Sequence, residues 1–220
     1  LDAAKNCISF IEKNLFSDGN LLRTYKNGTA KIDGYLEDYS YFLNALLDVF
    51  EIEPDVKYIK LASKLGHHLV DHFWDSENNN FFVTSDNHEK LIIRPKSNYD
   101  LSLPSGNSVS AFVMLRLHHI LHEKKFLDIT TKILESQAQM AAENPFGFGY
   151  LLNTLAIYLE KPVEITIINQ ENSEICQSLI SKYLPNSFRV TINDSTQLEK
   201  LSEYPFFAGK TFESKTSVFV

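Results

Sequence analysis

Two adjacent acidic residues, Glu37 and Asp38, are the first candidates for chemistry in this sequence. They follow a polar stretch and open a strongly apolar segment within Lys31-Ile-Asp-Gly-Tyr-Leu-Glu-Asp-Tyr39. Adjacent helix residues point about 100° apart, so the two carboxylates do not form an acid/base pair with each other. Glu37 falls on a polar line with Asn44 and Asp48, whereas Asp38 heads an apolar stripe. Because a buried carboxylate needs a partner, we expect Asp38 to be hydrogen-bonded, paired with a cation or shifted toward protonation.

A second polar group precedes another apolar segment about sixty residues later. Its members are Arg94, Lys96, Asp100, Ser105 and Asn107. Cations and free amides at a helix N-terminus suit an anionic or hydroxyl-rich ligand. We therefore predict a second polar helix start of the same kind as the first.

The two helix starts are expected to form one pocket if their helices are parallel neighbours. Arg23 and Tyr25 would lie at the same end, and Asp38 would contact Arg94, Lys96 and Asp100. Within this pocket, Asp38 and Asp100 are the pair to test for general acid/base work on a sugar, together with Glu37.

Aromatic side chains support a sugar as the ligand class. Tyr25, Tyr35, Tyr39 and Tyr99 lie close to the acidic positions in the sequence. Flat aromatic rings combine a large apolar area with a polar hydroxyl, which suits the faces of sugar rings.

A simpler interpretation of both groups stays open. Acidic residues favour the first turn of any helix through the helix dipole, which would account for Glu37 and Asp38 without a ligand. Arg94 and Lys96 would then pair with Glu37, Asp38 or Asp100 and hold the loop in place.

Six helices are predicted from apolar spacing and turn signals. They cover residues 3–16, 35–52, 54–73, 104–121, 124–142 and 150–160, with Pro104 in the first turn of the fourth. Segments 35–52, 104–121 and 150–160 are apolar on nearly every side, which indicates burial, whereas the others are one-sided. Short extended pieces are predicted at 21–25, 81–83 and 91–93, with a turn at 26–28.

An internal repeat links the first two of these units. Leu15-Phe-Ser-Asp18 with Asn20-Leu-Leu22 returns as Phe73-Trp-Asp-Ser76 with Asn80-Phe-Phe82, about sixty residues later. One outer helix, one extended excursion and one inner helix per period describe an array of helical hairpins. We predict a mainly α fold, a partial (α/α) toroid of about three hairpins over residues 1–161.

Residues 162–220 follow a different pattern. Strands at 163–168 and 188–192 flank a helix at 173–184, which predicts a small βαβ appendage with a parallel pair, and 217–220 would add a third strand. Parallel strands are normally covered on both faces, so this part must pack against the helices or another partner.

Composition excludes several classes of function. The 220-residue chain is 44% hydrophobic, carries a net charge of −7 and clusters no basic residues, which argues against nucleic acid. No apolar run is long enough to span a bilayer, so we expect a soluble, cytoplasmic protein. Cys7 and Cys176 fit no metal or redox spacing and are predicted to be reduced thiols in or near the core.

The histidines offer only incomplete metal sites. His68 with His72 and His118 with His122 have a four-residue spacing, but no carboxylate or cysteine in the sequence pattern completes either set. We therefore expect no metal and no cofactor.

The repeat, Gly34-Tyr-Leu-Glu-Asp-Tyr39, Phe73-Trp-Asp75, Arg94-Pro-Lys96 and Pro104-Ser-Gly-Asn-Ser108 together resemble the spermatogenesis-associated protein 20 family. The resemblance implies a helical toroid similar to the six-hairpin glycosidases and N-acylglucosamine 2-epimerases, preceded in the family by a thioredoxin-like domain. It also implies that this chain corresponds to a C-terminal part of a longer protein. No Cys-x-x-Cys is present, so a redox role has no residues here.

Two functions remain open at this point. The first is binding of a carbohydrate or sugar-like ligand, with hydrolysis or epimerisation as the associated chemistry. The second is a non-catalytic interaction or scaffold module that docks a thioredoxin-like domain. Because three hairpins do not enclose helices that are apolar all round, we also expect self-association, a missing N-terminal half, or inner helices that stay partly exposed.

Overall fold

The fold consists mainly of long helices, with short strands between them in the N-terminal part and a small sheet in the C-terminal part. The computed structural model describes residues 1–17, 19–88, 92–168, 178–179, 181–212 and 216–220. Its α-helices are α1 (Asp2–Asn14), α2 (Leu36–Ile52), α3 (Val56–His72), α4 (Gly106–Leu121), α5 (Lys124–Glu143), α6 (Gly149–Glu160) and α7 (Ser195–Leu201). Its strands are β1 (Phe16–Ser17), β2 (Asn20–Lys26), β3 (Thr29–Asp33), β4 (Trp74–Asp75), β5 (Asn80–Phe81), β6 (Val163–Ile168), β7 (Ser187–Ile192) and β8 (Ser217–Phe219). The mainly helical class predicted from the sequence is confirmed.

The inner layer consists of α2, α4 and α6, which lie side by side. The apolar residues of α2 and α4 are buried on nearly every side, as their sequences predict. The third helix differs, because only Leu151 and Thr154 of α6 are buried and Leu159 is exposed. One inner helix therefore keeps a partly exposed apolar surface, as expected for a short array of hairpins.

The outer layer consists of α3 and α5, each apolar on one face only. Helix α3 packs against α2, and α5 packs against α4. Asp55 begins α3, where its side chain accepts a hydrogen bond of 3.0 Å from the amide of Lys57. Gly66 lets α3 approach its neighbours, because a Cβ there would lie 2.5 Å from Leu117.

The sequence repeat corresponds to a repeated turn. Strands β1 and β2 pair Phe16 with Leu21, and β4 and β5 pair Trp74 with Phe81 in the same antiparallel manner. The first pair follows α1 and precedes α2, and the second pair follows α3 and precedes α4. The repeat is therefore present in the structure as well as in the sequence.

The first excursion extends into a β2–β3 hairpin. Its turn is made by Asn27 and Gly28, which have φ angles of 50° and 79°. These positive angles are typical of the tight turn that joins two antiparallel strands, and Asn-Gly is the preferred pair there. The turn predicted at 26–28 is confirmed.

A three-stranded sheet in the order β7-β6-β8 forms the C-terminal part, and it packs against the helices. The β6–β7 pair is parallel and β8 is antiparallel to β6. Phe188 and Val190 join the same buried cluster as α2 and α4, as does Phe207, whose ring lies 6.2 Å from that of Phe50. The predicted helix at 173–184 lies largely outside the described residues.

Several local predictions are wrong. Ile92 and Ile93 form no strand and are exposed, while residue 91 lies outside the described ranges. Pro104 precedes α4 instead of lying in its first turn, because Ser105 caps the helix. Cys7 is an exposed free thiol, since α1 buries only Ile8, and Cys176 is not among the described residues.

The described helices do not have the properties of membrane spans. Among the described residues, no helix combines the length and the apolar composition that crossing a bilayer requires.

The close approach of α2 and α4 generates a stability prediction. A Cβ at Gly106 would lie 2.9 Å from Cγ of Leu36 and 3.2 Å from the amide nitrogen of Glu37. We expect Gly106→Ala to push the two helix starts apart and to lower the free energy of unfolding by about 1–3 kcal/mol. Urea unfolding followed by circular dichroism measures this change.

Gly149→Ala is the matched control. Gly149 is also the first residue of an inner helix, and a Cβ there meets nothing within 4 Å. Alanine should be neutral or stabilise by up to about 1 kcal/mol at this position. Equal destabilisation by the two substitutions would contradict the packing argument.

Candidate functional site

A cleft of about 310 Å³ lies between the first turns of α2 and α4. Glu37 and Ser105 line it from the helices, and Tyr99, Leu101 and Leu103 line it from the loop that precedes α4. Its volume falls at the lower end of the range for small-molecule sites. The structure thus brings three of the predicted site residues, Glu37, Tyr99 and Ser105, into one cleft.

Asp38 is held by Arg23 and by the backbone. Its Oδ2 accepts hydrogen bonds of 2.8 Å from the amide of Tyr35 and of 2.8 Å from Nη1 of Arg23. Burial raises the pKa of Asp38, while the Tyr35 amide and Arg23 act in the opposite direction. The expected contacts of Asp38 with Arg94, Lys96 and Asp100 are wrong.

Arg23 joins the two adjacent acidic residues. Its Nη2 donates a hydrogen bond of 2.9 Å to Oε1 of Glu37, and its guanidinium lies 4.6 Å from the centre of the Tyr35 ring. Although Glu37 and Asp38 do not face each other directly, one planar guanidinium reaches both, because it presents several donors in a fixed fork. Arg23 therefore orients Glu37 at the wall of the cleft.

Arg94 and Lys96 contact other groups. Arg94 donates hydrogen bonds of 3.1 Å to the carbonyl of His72 and of 2.5 Å to that of Thr84, and Lys96 pairs with Asp75. Both cations also lie over the ring of Phe82, at 4.0 and 4.7 Å. They border a separate open basin beside β4 and anchor the long loop there. The pairing with Glu37, Asp38 or Asp100 that the simpler interpretation expected is therefore wrong, although these cations do hold the loop.

The ion pair with Asp75 accounts for the position of Lys96 beside that basin. Burial opposes its ionisation, but hydrogen bonds from Lys96 and Asn78 and from two backbone amides together lower the pKa of Asp75. The carboxylate organises the β4–β5 turn, because it accepts bonds of 2.9 and 3.3 Å from the amides of Glu77 and Asn78.

Asp100 ties the starts of two inner helices together. Its Oδ1 accepts a hydrogen bond of 2.7 Å from the amide of Ser105, and its Oδ2 accepts one of 2.8 Å from the amide of Tyr150. The first belongs to the start of α4 and the second to the first turn of α6, where amides otherwise lack partners. Asp100 is thus a bridging cap.

Asn107 and Ser105 are also used by the fold. Asn107 is fully buried, accepts a hydrogen bond of 2.7 Å from the amide of Phe81 and donates bonds of 3.0 Å to the carbonyls of Phe81 and Ser97. Ser105 accepts a hydrogen bond of 3.0 Å from the amide of Ser108. These side chains satisfy buried backbone groups near the cleft.

Three of the four predicted aromatic residues, Tyr25, Tyr35 and Tyr39, do not line the cleft. Tyr39 is buried, its hydroxyl accepts a hydrogen bond of 2.8 Å from the amide of Leu21, and burial raises its pKa to about 12. Tyr25 lies on β2, with its ring 5.2 Å from that of Phe10. Tyr99 remains as the predicted aromatic residue that lines the cleft.

Tyr41 was missed in the sequence and lies next to the cleft. Its hydroxyl donates a hydrogen bond of 2.5 Å to the carbonyl of Pro104. Burial raises the pKa of Tyr41, and the negative charges of Glu37 and Asp100 raise it further. The spacing of Glu37, Tyr41 and Asn44 along one helix face was the signal available in the sequence.

A buried cation, Arg116, continues the polar line and was also missed. It is 3% exposed and donates hydrogen bonds of 2.8 Å to Oδ1 of Asn44, 2.7 Å to Asp48 and 2.7 Å to Glu51. Burial lowers the pKa of Arg116, but the two carboxylates raise it more. Its isolation in the apolar segment 109–117 was the available signal, since a charge there requires partners.

The histidines act in packing and pairing. Burial lowers the pKa of His68 to about 4, and its ring stacks on Tyr39 at 4.9 Å. At the other end of α4, His119 Nδ1 lies 2.7 Å from Oε1 of Glu164 and connects the sheet to the helices. Within the described part of the chain, no group of three His, Cys, Asp or Glu side chains is placed to hold a metal ion.

The cleft is chemically suited to bind hydroxyl groups. Glu37 keeps 46% of its side chain exposed, and its carboxylate is oriented by Arg23. A charged acceptor forms strong hydrogen bonds with hydroxyls, and the neighbouring aromatic and aliphatic walls exclude water from part of the ligand. Glu37 is therefore the acidic site residue that is best placed to meet a ligand.

Asp100→Asn tests the bridging cap. The amide side chain keeps one acceptor oxygen, so we expect one of the two helix starts to lose its partner and the free energy of unfolding to fall by about 1–2 kcal/mol. Hydrogen exchange at the amides of Ser105 and Tyr150 should become faster. Asp71→Asn, in the exposed pair with Lys125, is the control and should change little.

Arg116→Met tests the buried ion cluster. We expect a loss of about 2–4 kcal/mol in unfolding free energy near neutral pH, because the carboxylate of Glu51, whose side chain is only 27% exposed, would lose its cationic partner. Burial already raises the pKa of Glu51 and Arg116 opposes this, so the variant should raise that pKa further. A carboxyl whose folded-state pKa exceeds its unfolded value penalises folding above that pKa, and protonation relieves the penalty.

The deficit should therefore shrink as the pH falls from about 7 to about 5, measured by urea unfolding at each pH. The double variant Arg116→Met/Glu51→Gln lacks the titrating group and should lose this pH dependence. A deficit in the single variant that does not change with pH would argue against the assignment to Glu51.

Comparison with known proteins agrees with the resemblance of the motifs. The chain is 24% identical to spermatogenesis-associated protein 20 of Rattus norvegicus over 233 aligned positions, which cover 99% of this chain and 30% of that protein. The protein of the same name from Homo sapiens is 25% identical over 223 positions, covering 94% of this chain and 28% of that protein. An uncharacterised protein of Caenorhabditis elegans is 23% identical over 210 positions.

The relatives are longer proteins, and this chain aligns with one part of each. The chain spans about 30% of the length of the curated relatives it matches. No family model matches the chain. The predicted resemblance is confirmed: along nearly its whole length this chain is similar to spermatogenesis-associated protein 20.

Proposed function

We propose that this protein binds a carbohydrate or sugar-like ligand in the cleft between the starts of α2 and α4. The observation that carries the proposal is the exposed carboxylate of Glu37, oriented by Arg23 in a cleft that Tyr99 also lines. Sugar hydroxyls would bond with Glu37, and Tyr99 would cover an apolar face of the ring. Asp38 and Asp100 act as positioning residues.

Glu37 is also the residue we propose for any catalysis at this site. Hydrolysis of a glycoside ordinarily uses two carboxyl groups, one on each side of the scissile bond. Asp38 and Asp100 accept backbone and guanidinium hydrogen bonds, so their carboxylates are already used by the fold. Binding is therefore the first property to test, with hydrolysis or epimerisation second.

We also propose that the helices form part of an (α/α) toroid similar to the six-hairpin glycosidases. The side-by-side arrangement of α2, α4 and α6, with α3 and α5 outside, supports this proposal. The partly exposed apolar surface of α6 would then be covered by further hairpins or by a second copy of the chain.

A second candidate function is a non-catalytic interaction module that docks a thioredoxin-like domain. It is favoured by the pairing of the polar residues, because Arg23, Lys96 and Arg116 all form ion pairs within the chain. In that case the polar line would stabilise the fold, and the cleft would bind no sugar.

Isothermal titration calorimetry with a panel of mono- and disaccharides distinguishes the two functions. We expect at least one member to bind, and Glu37→Gln to weaken its affinity by about tenfold or more, because a charged acceptor is replaced by a neutral amide. Glu53→Gln is the control, since Glu53 pairs with Lys5 and does not line the cleft. No binding by the folded wild-type protein would favour the interaction module.

A further inference from the structure

Exposed apolar side chains form one rim of the cleft. Leu101 is 84% exposed, Leu103 is 66% exposed and Tyr99 is 48% exposed, and all three line the cleft together with Glu37 and Ser105. Single exposed leucines are common on protein surfaces, but two of them on the rim of a ligand-sized cleft form a local apolar surface. The lining of the cleft therefore combines one exposed carboxylate with two exposed leucines.

The loop that carries the two leucines is held by hydrogen bonds at both ends. Asp100 fixes the loop on one side, through its bonds of 2.7 and 2.8 Å with the amides of Ser105 and Tyr150. On the other side, the hydroxyl of Tyr41 holds the carbonyl of Pro104, and within the tip the amide of Leu101 bonds to the carbonyl of Leu103 at 3.0 Å. These bonds fix both ends of the loop, and Leu101 and Leu103 lie exposed on the segment between them.

We infer that the ligand of this cleft is a glycoside that carries an apolar alkyl or aryl group next to its sugar. This inference rests on the proposed function and names its substrate class. The sugar hydroxyls face Glu37, and the apolar group lies on Leu101 and Leu103. A free sugar would leave the leucines in water, whereas a purely apolar ligand would remove water from Glu37 without replacing its hydrogen bonds.

Matched pairs of glycosides test the inference by isothermal titration calorimetry. The probes are the methyl and the phenyl pyranosides of glucose, galactose and mannose, compared at each sugar. We expect the phenyl form to bind about tenfold more tightly than the methyl form of the same sugar, because the ring buries additional apolar area on the rim. Benzyl alcohol, which lacks the sugar, should bind far more weakly than either.

Variants at the rim assign the preference to the two leucines. In Leu101→Ser/Leu103→Ser, the ratio of phenyl to methyl affinity should fall from about ten toward about one. Both leucines are exposed, so the variant should fold, and a circular dichroism melt checks this. Phe146→Ser is the matched control, since Phe146 is 97% exposed on the neighbouring loop but does not line the cleft, and it should keep the ratio.

The outcomes separate this inference from the proposed function. Equal affinities for the methyl and phenyl forms in the wild-type protein would overturn the inference and leave sugar binding in place. A ratio that survives the double substitution would overturn it as well. Binding of benzyl alcohol as tight as that of the phenyl glycosides, or no binding by any glycoside, would overturn the proposed function and the inference together.

Discussion

The contact between α2 and α4 is the constraint on which the rest of the structure depends. These two helices are apolar on nearly every side, so they stay buried only if other elements surround them. At one end, Gly106 allows the helix starts to approach until a Cβ would overlap Leu36. Toward the other end, Arg116 of α4 binds Asp48 and Glu51 of α2. Close packing at one end and ion pairs at the other thus fix the position of α2 relative to α4.

The C-terminal sheet contributes to the same enclosure. Phe188 and Val190 of β7 belong to the same buried cluster as the inner helices, as does Phe207 in the segment between α7 and β8. The C-terminal part therefore covers apolar surface that three hairpins alone would leave in water. His119 and Glu164 add a polar contact across this packing. The helical and the α/β parts therefore share one core.

Polar residues near the inner helices divide into two kinds by what they touch. Asp38, Asp100 and Asn107 accept hydrogen bonds from backbone amides, which are the groups that helix starts and buried turns leave without partners. Glu37 is different, because its partner is the side chain of Arg23 and much of its carboxylate stays exposed. A polar residue in a pocket is therefore a candidate for ligand binding when the fold has not already used its hydrogen bonds.

The sequence by itself determined the six helices between residues 2 and 160, the repeated turn and the parallel strand pair. These features depend on local sequence, as the limits of α2, the β-branched run of β6 and the alternation in β7 show. It also identified the region of the cleft through Glu37, Ser105 and Tyr99. Only the tertiary structure decided which charged and polar side chains are partners. These contacts depend on distances between segments that are far apart in the sequence, and spacing along the chain does not contain those distances.

Particular residues show the physical reason. Asp38 pairs with Arg23 of the β2–β3 hairpin and not with the cations sixty residues later, because the hairpin places Arg23 over the first turn of α2. Arg94 and Lys96 instead meet carbonyls and Asp75 beside the second turn. Arg116 has partners only because α2 lies beside α4 with its polar line facing that position. Helix and strand periodicity follows from the backbone, whereas the partner of a charge follows from which surfaces the whole fold brings together.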